Sequence, residues 1–295
     1  MHRALRIATR GSALARRQAE RVLELLGGDG ELVIVTTSGD QRLDVPLHTI
    51  GGTGVFVKEV QEAVLDGRAD VAVHSAKDLP SETPPGLVLA AFPERGDARD
   101  ALVGSRLADL PTGAVVATGS VRRRAQLAAR RSDLVFTELR GNMDTRLEKA
   151  KQFDGAVVAS AALDRLGLAD DIAERLPFSV MLPQVGQGAL AVECRADDDA
   201  TRERLAVIDE PDVRDAVEAE RAFLARLGSG CSLPVGAHAR VEGHVGSPDR
   251  AVVIEGLLAS YDGSRECRAT RRDADPVRAG RSLAEELLRV FEEVA

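Results

Sequence analysis

The feature that most constrains the fold is a rhythm in the first two thirds of the chain. Short apolar segments alternate with helix-forming ones, and polar turns separate them. Residues 4–10 (ALRIATR) read as a buried strand, Ser12 can cap a helix running to about Leu26, and Gly27-Gly28 stop it. A second strand is expected at 31–37 (ELVIVTT), followed by a polar, glycine-rich stretch over 38–54 that is long enough to form a loop of its own. A helix over 55–65 and strands at 70–74 and 87–92 complete the first round. The pattern then repeats, with a strand at 115–120 entering the helix VRRRAQLAARR, a strand at 134–139 before a turn and helix, and strands at 155–163 and 188–194. Such alternation predicts α/β architecture with a mainly parallel sheet, antiparallel pairing within it being left open.

The C-terminal part reads differently. Residues 212–227 form an amphipathic pattern ending at Gly228, and alternating segments follow, two of which flank the hairpin signal Tyr261-Asp262-Gly263-Ser264. A last helix is expected over 276–293. The sequence therefore predicts two α/β lobes and a small C-terminal α+β domain, with joints near 93–100, 181–184 and 209–212. A length of 295 residues suits two or three domains.

Composition excludes several classes of function. The chain carries 39 basic and 47 acidic residues, net −8, and its aromatic content is 3%. A nucleic-acid partner is therefore not expected. No apolar run reaches the roughly 18 residues of a membrane span. The opening residues lack the apolar stretch of an export signal, so a cytoplasmic location and no membrane partner are expected. Cys194, Cys231 and Cys267 are odd in number and widely separated, and the histidines show no metal-ligand spacing, so neither a disulfide framework nor a metal site is expected. Only four of the 39 basic residues are lysine. An arginine bias of that kind reflects genome composition unless the arginines are clustered.

They are clustered at strand ends. Gly186-x-Gly188-x-x-Ala191 matches a dinucleotide fingerprint, but Pro183 precedes it and a strand follows where a helix is required, so it is rejected. Gly51, Gly52 and Gly54 lack the lysine of a phosphate loop and instead suit the hinge of a lid, with Phe56 beside them. Lys77 and Asp78 lie at the carboxyl end of the strand 70–74, where α/β sheets bind ligands, although a solvated ion pair fits that position equally well. Thr118 and Ser120 precede Arg122 and Arg123 at a helix start, a pattern that favours an anion site over a solvated helix face. Arg140 and Arg146, Arg10 with Ser12, and Arg165 repeat the theme after three other strands. Cys231 sits in a glycine loop (GSGCSLP) from which a thiol can react, with no histidine partner nearby in sequence.

These segments together resemble the hydroxymethylbilane synthase (porphobilinogen deaminase) family of tetrapyrrole biosynthesis. The resemblance is carried by RIATRGSALA (6–15), DVAVHSAKDLP (70–80), ATGSVRRRAQL (117–127), ELRGNMDTRL (138–147), PQVGQGALAVECR (183–195) and GSGCSLPVGA (228–237), in family order over nearly the whole chain. It implies two lobes like those of periplasmic binding proteins, the first formed by residues 1–93 and 189–206 and the second by 99–182. A third domain, residues 211–295, would carry the cofactor cysteine. It implies a transferase that joins porphobilinogen units into hydroxymethylbilane with release of ammonia, on a dipyrromethane cofactor held by a thioether at Cys231. Asp78 would be catalytic. Arg10, Ser12, Lys77, Thr118, Ser120, Arg122, Arg123, Arg140, Arg146 and Arg165 would bind carboxylates of substrate and cofactor. Where the family's lid carries two lysines, this chain has Thr49 and Thr53. A monomer acting on a small-molecule substrate is expected. The competing readings are a non-enzymatic anion-binding protein on the same two lobes and an acyl-transferring cysteine enzyme, which would need a histidine that the sequence does not place.

Overall fold

The computed structural model of the chain describes residues 3–37, 56–228 and 234–293. Two compact units emerge, Met1–Gly96 with Ala189–Arg214, and Asp97–Gly188 with Asp215–Ala295. The first is built on a five-stranded sheet of β1 (Leu5–Arg10), β2 (Gly30–Val35), β3 (Val71–Ser75), β4 (Leu87–Ala91) and β10 (Leu190–Arg195), in the order β2-β1-β3-β10-β4. β1 runs parallel to β2 and β3, whereas β10 lies antiparallel between β3 and β4. Both faces of β1 are covered, so Leu5 and Ile7 on one face and Ala8 on the other are all buried. Leu5 and Ile7 pack with Ala19 and Val22 of α1 (Ala13–Leu25), and Ala8 packs with Val60, Ala63 and Val64 of α2 (Lys58–Leu65).

The second unit repeats this plan with β5 (Asp100–Val103), β6 (Val115–Ala117), β7 (Val135–Thr137), β8 (Gly155–Ala159) and β9 (Ile172–Arg175), in the order β7-β6-β8-β5-β9. β6 is parallel to β7 and β8, and β5 is antiparallel to β8 and β9. The helices α3 (Val121–Arg130), α4 (Met143–Ala150) and α5 (Ser160–Leu166) follow β6, β7 and β8. The strand laid in antiparallel, β10 in the first sheet and β5 in the second, is in each case the first strand after the chain arrives from the other unit.

Helix α6 (Asp199–Ala206) closes the first unit's α/β part, and α7 (Pro211–Leu227) leads into the C-terminal part. There β11 (Val235–Glu242), β12 (Ala251–Ala259) and β13 (Glu266–Asp273) form an antiparallel sheet backed by α7 and α8 (Pro276–Glu293). Phe223, Ile254, Leu283 and Leu287 sit in its core. The two helices approach closely at Gly280, where a Cβ would stand 2.1 Å from the Ala219 carbonyl oxygen.

The architecture is thus two α/β lobes and a smaller α+β domain. Three local expectations are corrected. Each five-stranded sheet is mixed, because the strand inserted after each crossing runs against its neighbours. The strand expected over 155–163 ends at Ala159, and Ser160–Leu166 is helical up to Gly167 in the left-handed region. The reason is compositional, since β-branched residues stop at Val158 and SAALDRL favours a helix. β5 and β9, of four residues each, were not anticipated, because each is too short and too polar at one end to show a period.

Candidate functional site

In the first unit, β1 and β3 are parallel neighbours with Ile7 opposite Val71, so both release their following residues at the same edge of one sheet. β1 ends on Arg10, and Ser12 then caps α1, its hydroxyl accepting from Ala15 N at 3.3 Å. β3 ends on Ser75 and turns at once into a single 3-10 turn, Ala76–Asp78, which carries Lys77 and Asp78. Both of those side chains are half-buried. The Arg10 guanidinium lies 4.1 Å from the centre of the Phe56 ring. Arg10, Ser12, Lys77 and Asp78 are therefore gathered at one edge of one sheet, with Phe56 stacked on the first of them. Gly51, Gly52, Gly54 and Cys231 lie outside the described residues.

The second unit has the corresponding edge. Thr118 follows β6 and is buried, and its Oγ1 accepts from Ser120 N at 3.2 Å. Ser120 caps α3, accepting from Arg123 N at 3.5 Å. After β7, Arg140 pairs with Glu138 at 3.2 Å, Asn142 caps α4, and Arg146 Nε donates to Gly141 O at 2.9 Å. After β8, Arg165 Nη2 donates to Gly188 O at 2.6 Å. Burial pushes the Arg165 guanidinium down to about 10, with Asp164 opposing the shift, so it stays charged at neutral pH.

Arg122 and Arg123 do not form a solvated helix face. Their side chains are 4% and 9% exposed, and both reach Asp100, which is fully buried at the start of β5. Arg122 Nη1 donates to Asp100 Oδ2 at 2.7 Å and to Leu182 O at 2.6 Å. Arg123 donates to Asp100 Oδ1 through Nε at 3.0 Å and Nη2 at 2.8 Å, and its Nη1 donates to Val157 O at 2.8 Å. Gln187 Nε2 adds a bond to Asp100 Oδ1 at 3.0 Å. Burial alone would raise the Asp100 carboxyl. The charges of Arg122 and Arg123, with the bonds from Arg122 and Gln187, hold it well below the usual carboxylate range. Two guanidiniums against one carboxylate leave a net positive charge buried beside Thr118 and Ser120, at the helix end that already favours anions.

Sequence reasoning missed Asp100 and Gln187, and in the first unit it missed a second buried group formed by Gln61, His74 and Glu193. Asp100, Gln187, His74 and Glu193 are polar residues inside segments that read as strand or turn, and Gln61 lies in the segment that reads as a helix. The only available signal was a charged residue within an apolar run, DALV for Asp100 and ALAVEC for Glu193. Cys194 is buried in β10, and burial pushes its thiol up to about 11.

Comparison with known families decides the identity of the fold. The model described as "Porphobilinogen deaminase, dipyromethane cofactor binding domain" matches residues 5–203, and "Porphobilinogen deaminase, C-terminal domain" matches 215–289. The chain belongs to the porphobilinogen deaminase family. Among curated porphobilinogen deaminases it is 49% identical to that of Syntrophotalea carbinolica, over 97% of this chain and 92% of the relative. It is 48% identical to that of Roseiflexus castenholzii (98% and 97%) and 44% identical to that of Geobacter metallireducens (96% and 91%). As a porphobilinogen deaminase it is a transferase that polymerises porphobilinogen, with release of ammonia, in tetrapyrrole biosynthesis. Its cofactor is dipyrromethane. The readings as a non-enzymatic binding protein and as an acyl-transferring cysteine enzyme are set aside. The strand-end residues fit this cofactor, since a dipyrrole carries carboxylates on both rings and the second unit offers the Thr118 and Ser120 hydroxyls at a helix start together with a buried net positive charge.

Proposed function

We propose that Asp78 is the catalytic residue of this deaminase and that the cofactor is attached through a thioether to Cys231. Arg10, Ser12, Lys77, Thr118, Ser120, Arg122, Arg123, Arg140, Arg146 and Arg165 would bind the carboxylates of substrate and cofactor. The observation that carries the reading is the gathering of Arg10, Ser12, Lys77 and Asp78 at one edge of the first sheet. In this scheme Arg10, Ser12 and Lys77 hold the acetate and propionate of an incoming porphobilinogen. The Asp78 carboxylate accepts a hydrogen bond from its aminomethyl nitrogen, guides that nitrogen away as ammonia, and faces the positive charge left on the pyrrole. Phe56, stacked on the Arg10 guanidinium, gives the ring an aromatic surface. When bound, the cofactor supplies the pyrrole end on which units are added.

Arg122 and Arg123 act in this scheme chiefly through their buried net charge, because Asp100 already holds their forks. The domains proposed are 1–93 with 189–206, 99–182, and 211–295. The protein is proposed to work as a cytoplasmic monomer without nucleic-acid or membrane partners. Among the described residues no helix is long and apolar enough to cross a membrane.

The test is Asp78→Asn. This variant should keep the covalent cofactor, seen in the intact mass, and lose at least about a hundredfold in the rate of ammonia release. A turnover rate near that of the unaltered enzyme would overturn the assignment.

A further inference from the structure

The strand that ends in the Lys77–Asp78 turn is held by polar groups on both faces. Ser75, its last residue, faces α1, where the buried Gln18 amide donates to Ser75 Oγ at 2.8 Å and accepts from it at 3.2 Å. His74 points to the opposite face, shared with Ala72 and covered by α2. There its Nε2 lies 3.0 Å from Glu193 Oε2, within ion-pair distance but off the line of a hydrogen bond. Glu193 belongs to β10, directly opposite Ala72, and is 1% exposed. Gln61 of α2 bridges its two oxygens, with Nε2 at 3.1 and 2.8 Å. One residue past the strand, Ala76 N donates to Ala189 O at 3.0 Å.

A buried carboxylate is a poor means of stabilising a core, since well-packed apolar residues serve as well or better. The same face is otherwise apolar, with Ala72, Val60, Ala63 and Val64. The polar group stands where β3 gives way to the Asp78 turn. Hydrogen bonds are directional and fix orientation where apolar contacts allow slip. A catalytic carboxylate needs that control, because a misplacement of about 1 Å can cost roughly a hundredfold in rate.

We propose that Glu193, acting with Gln61 and His74, is a positioning residue for Asp78: through Glu193 the Gln61 amide fastens β10 to α2, and the Glu193 carboxylate stands 3.0 Å from His74 near the end of β3, so the group sets where the Asp78 turn leaves the sheet. The inference rests on the catalytic assignment of Asp78 made above. It also gives a physical reason for two segments far apart in the chain, DVAVHSAKD and GALAVECR, to carry polar residues at these positions.

The experiment compares Glu193→Gln, Gln61→Met and Asp78→Asn as purified holoenzymes. Cofactor load is read from intact mass, and kcat and KM from porphobilinogen consumption. Glu193→Gln should keep the cofactor and a KM within twofold, while kcat falls at least about tenfold. Gln61→Met removes only the amide bridge and should lower kcat by about three- to tenfold, again at constant KM. A purely structural role would reduce the yield of folded enzyme without changing kcat per loaded molecule. The proposal is overturned if both variants load cofactor and keep kcat within twofold, if KM rises in step with the loss of kcat, or if neither variant folds. Should Asp78→Asn itself retain turnover, the catalytic assignment fails, which is a different result from Asp78→Asn being inactive while Glu193→Gln and Gln61→Met remain normal.

Discussion

Replacing Asp100 by Asn should damage the second unit far more than an exchange of similar size suggests. The side chain is fully buried and accepts from Arg122, from Arg123 twice and from Gln187. Asparagine keeps the volume and one oxygen but removes the charge, so two buried guanidiniums lose their common counter-ion. Breaking a buried pair from one side costs about 3–5 kcal/mol. For a folding unit of this size each kcal/mol is worth about 2–4 °C, so the unfolding midpoint should fall by roughly 6–20 °C. Thermal unfolding of the purified enzyme, followed by circular dichroism at pH 7, reads the change.

The pH dependence gives a second check. The folded-state Asp100 carboxyl is held below its unfolded value, so its stabilisation is present above about pH 4 and is lost as pH falls further. The gap between the two proteins should therefore be constant from pH 7 to about 5 and shrink below about 4. A midpoint within 2 °C of the unaltered protein at pH 7, or a gap that widens in acid, would refute the reasoning.

Other outcomes follow from single contacts. Arg165→Gln should raise KM for porphobilinogen about tenfold or more, because a charge-assisted carboxylate bond is worth about 1.5–3 kcal/mol. An unchanged KM in the variant would contradict this role. Cys194, pushed up to about 11, should resist iodoacetamide in the folded protein at pH 8 and react after unfolding; peptide mapping that finds it alkylated in the folded state would contradict its burial. Gly280→Ala places a methyl group 2.1 Å from Ala219 O and 2.8 Å from Phe223 N, both backbone atoms, and should cost at least about 1–3 kcal/mol in urea unfolding. An unchanged urea midpoint would show that the two helices move apart without penalty.

The division into lobes and the small third domain was legible in the sequence because strand and helix periods differ and because a cap such as Ser12 and a stop such as Gly27-Gly28 mark helix ends. Arg10 and Asp78 could be placed at strand ends for the same reason. What was not legible depends on pairing between distant segments. β10 reads as a strand from GALAVEC alone, but its antiparallel place between β3 and β4 follows from topology. The sequence alone presents Arg122 and Arg123 as ready donors at a helix start. Their commitment to Asp100, over twenty residues earlier, could not be seen, because a buried ion pair leaves no local pattern. Glu193 was hidden in the same way, as one polar letter in an apolar strand whose partners, Gln61 and His74, come from elsewhere in the chain.

The central claim is that porphobilinogen is polymerised on a dipyrrole anchored at Cys231. The intact mass of the purified protein tests it most directly. The mass should exceed the 31.4 kDa of the chain by two porphobilinogen units less two molecules of ammonia, and Cys231→Ser should abolish both the excess and the activity. An active enzyme whose mass equals that of the bare chain, or a Cys231→Ser protein that keeps the excess mass, would contradict it.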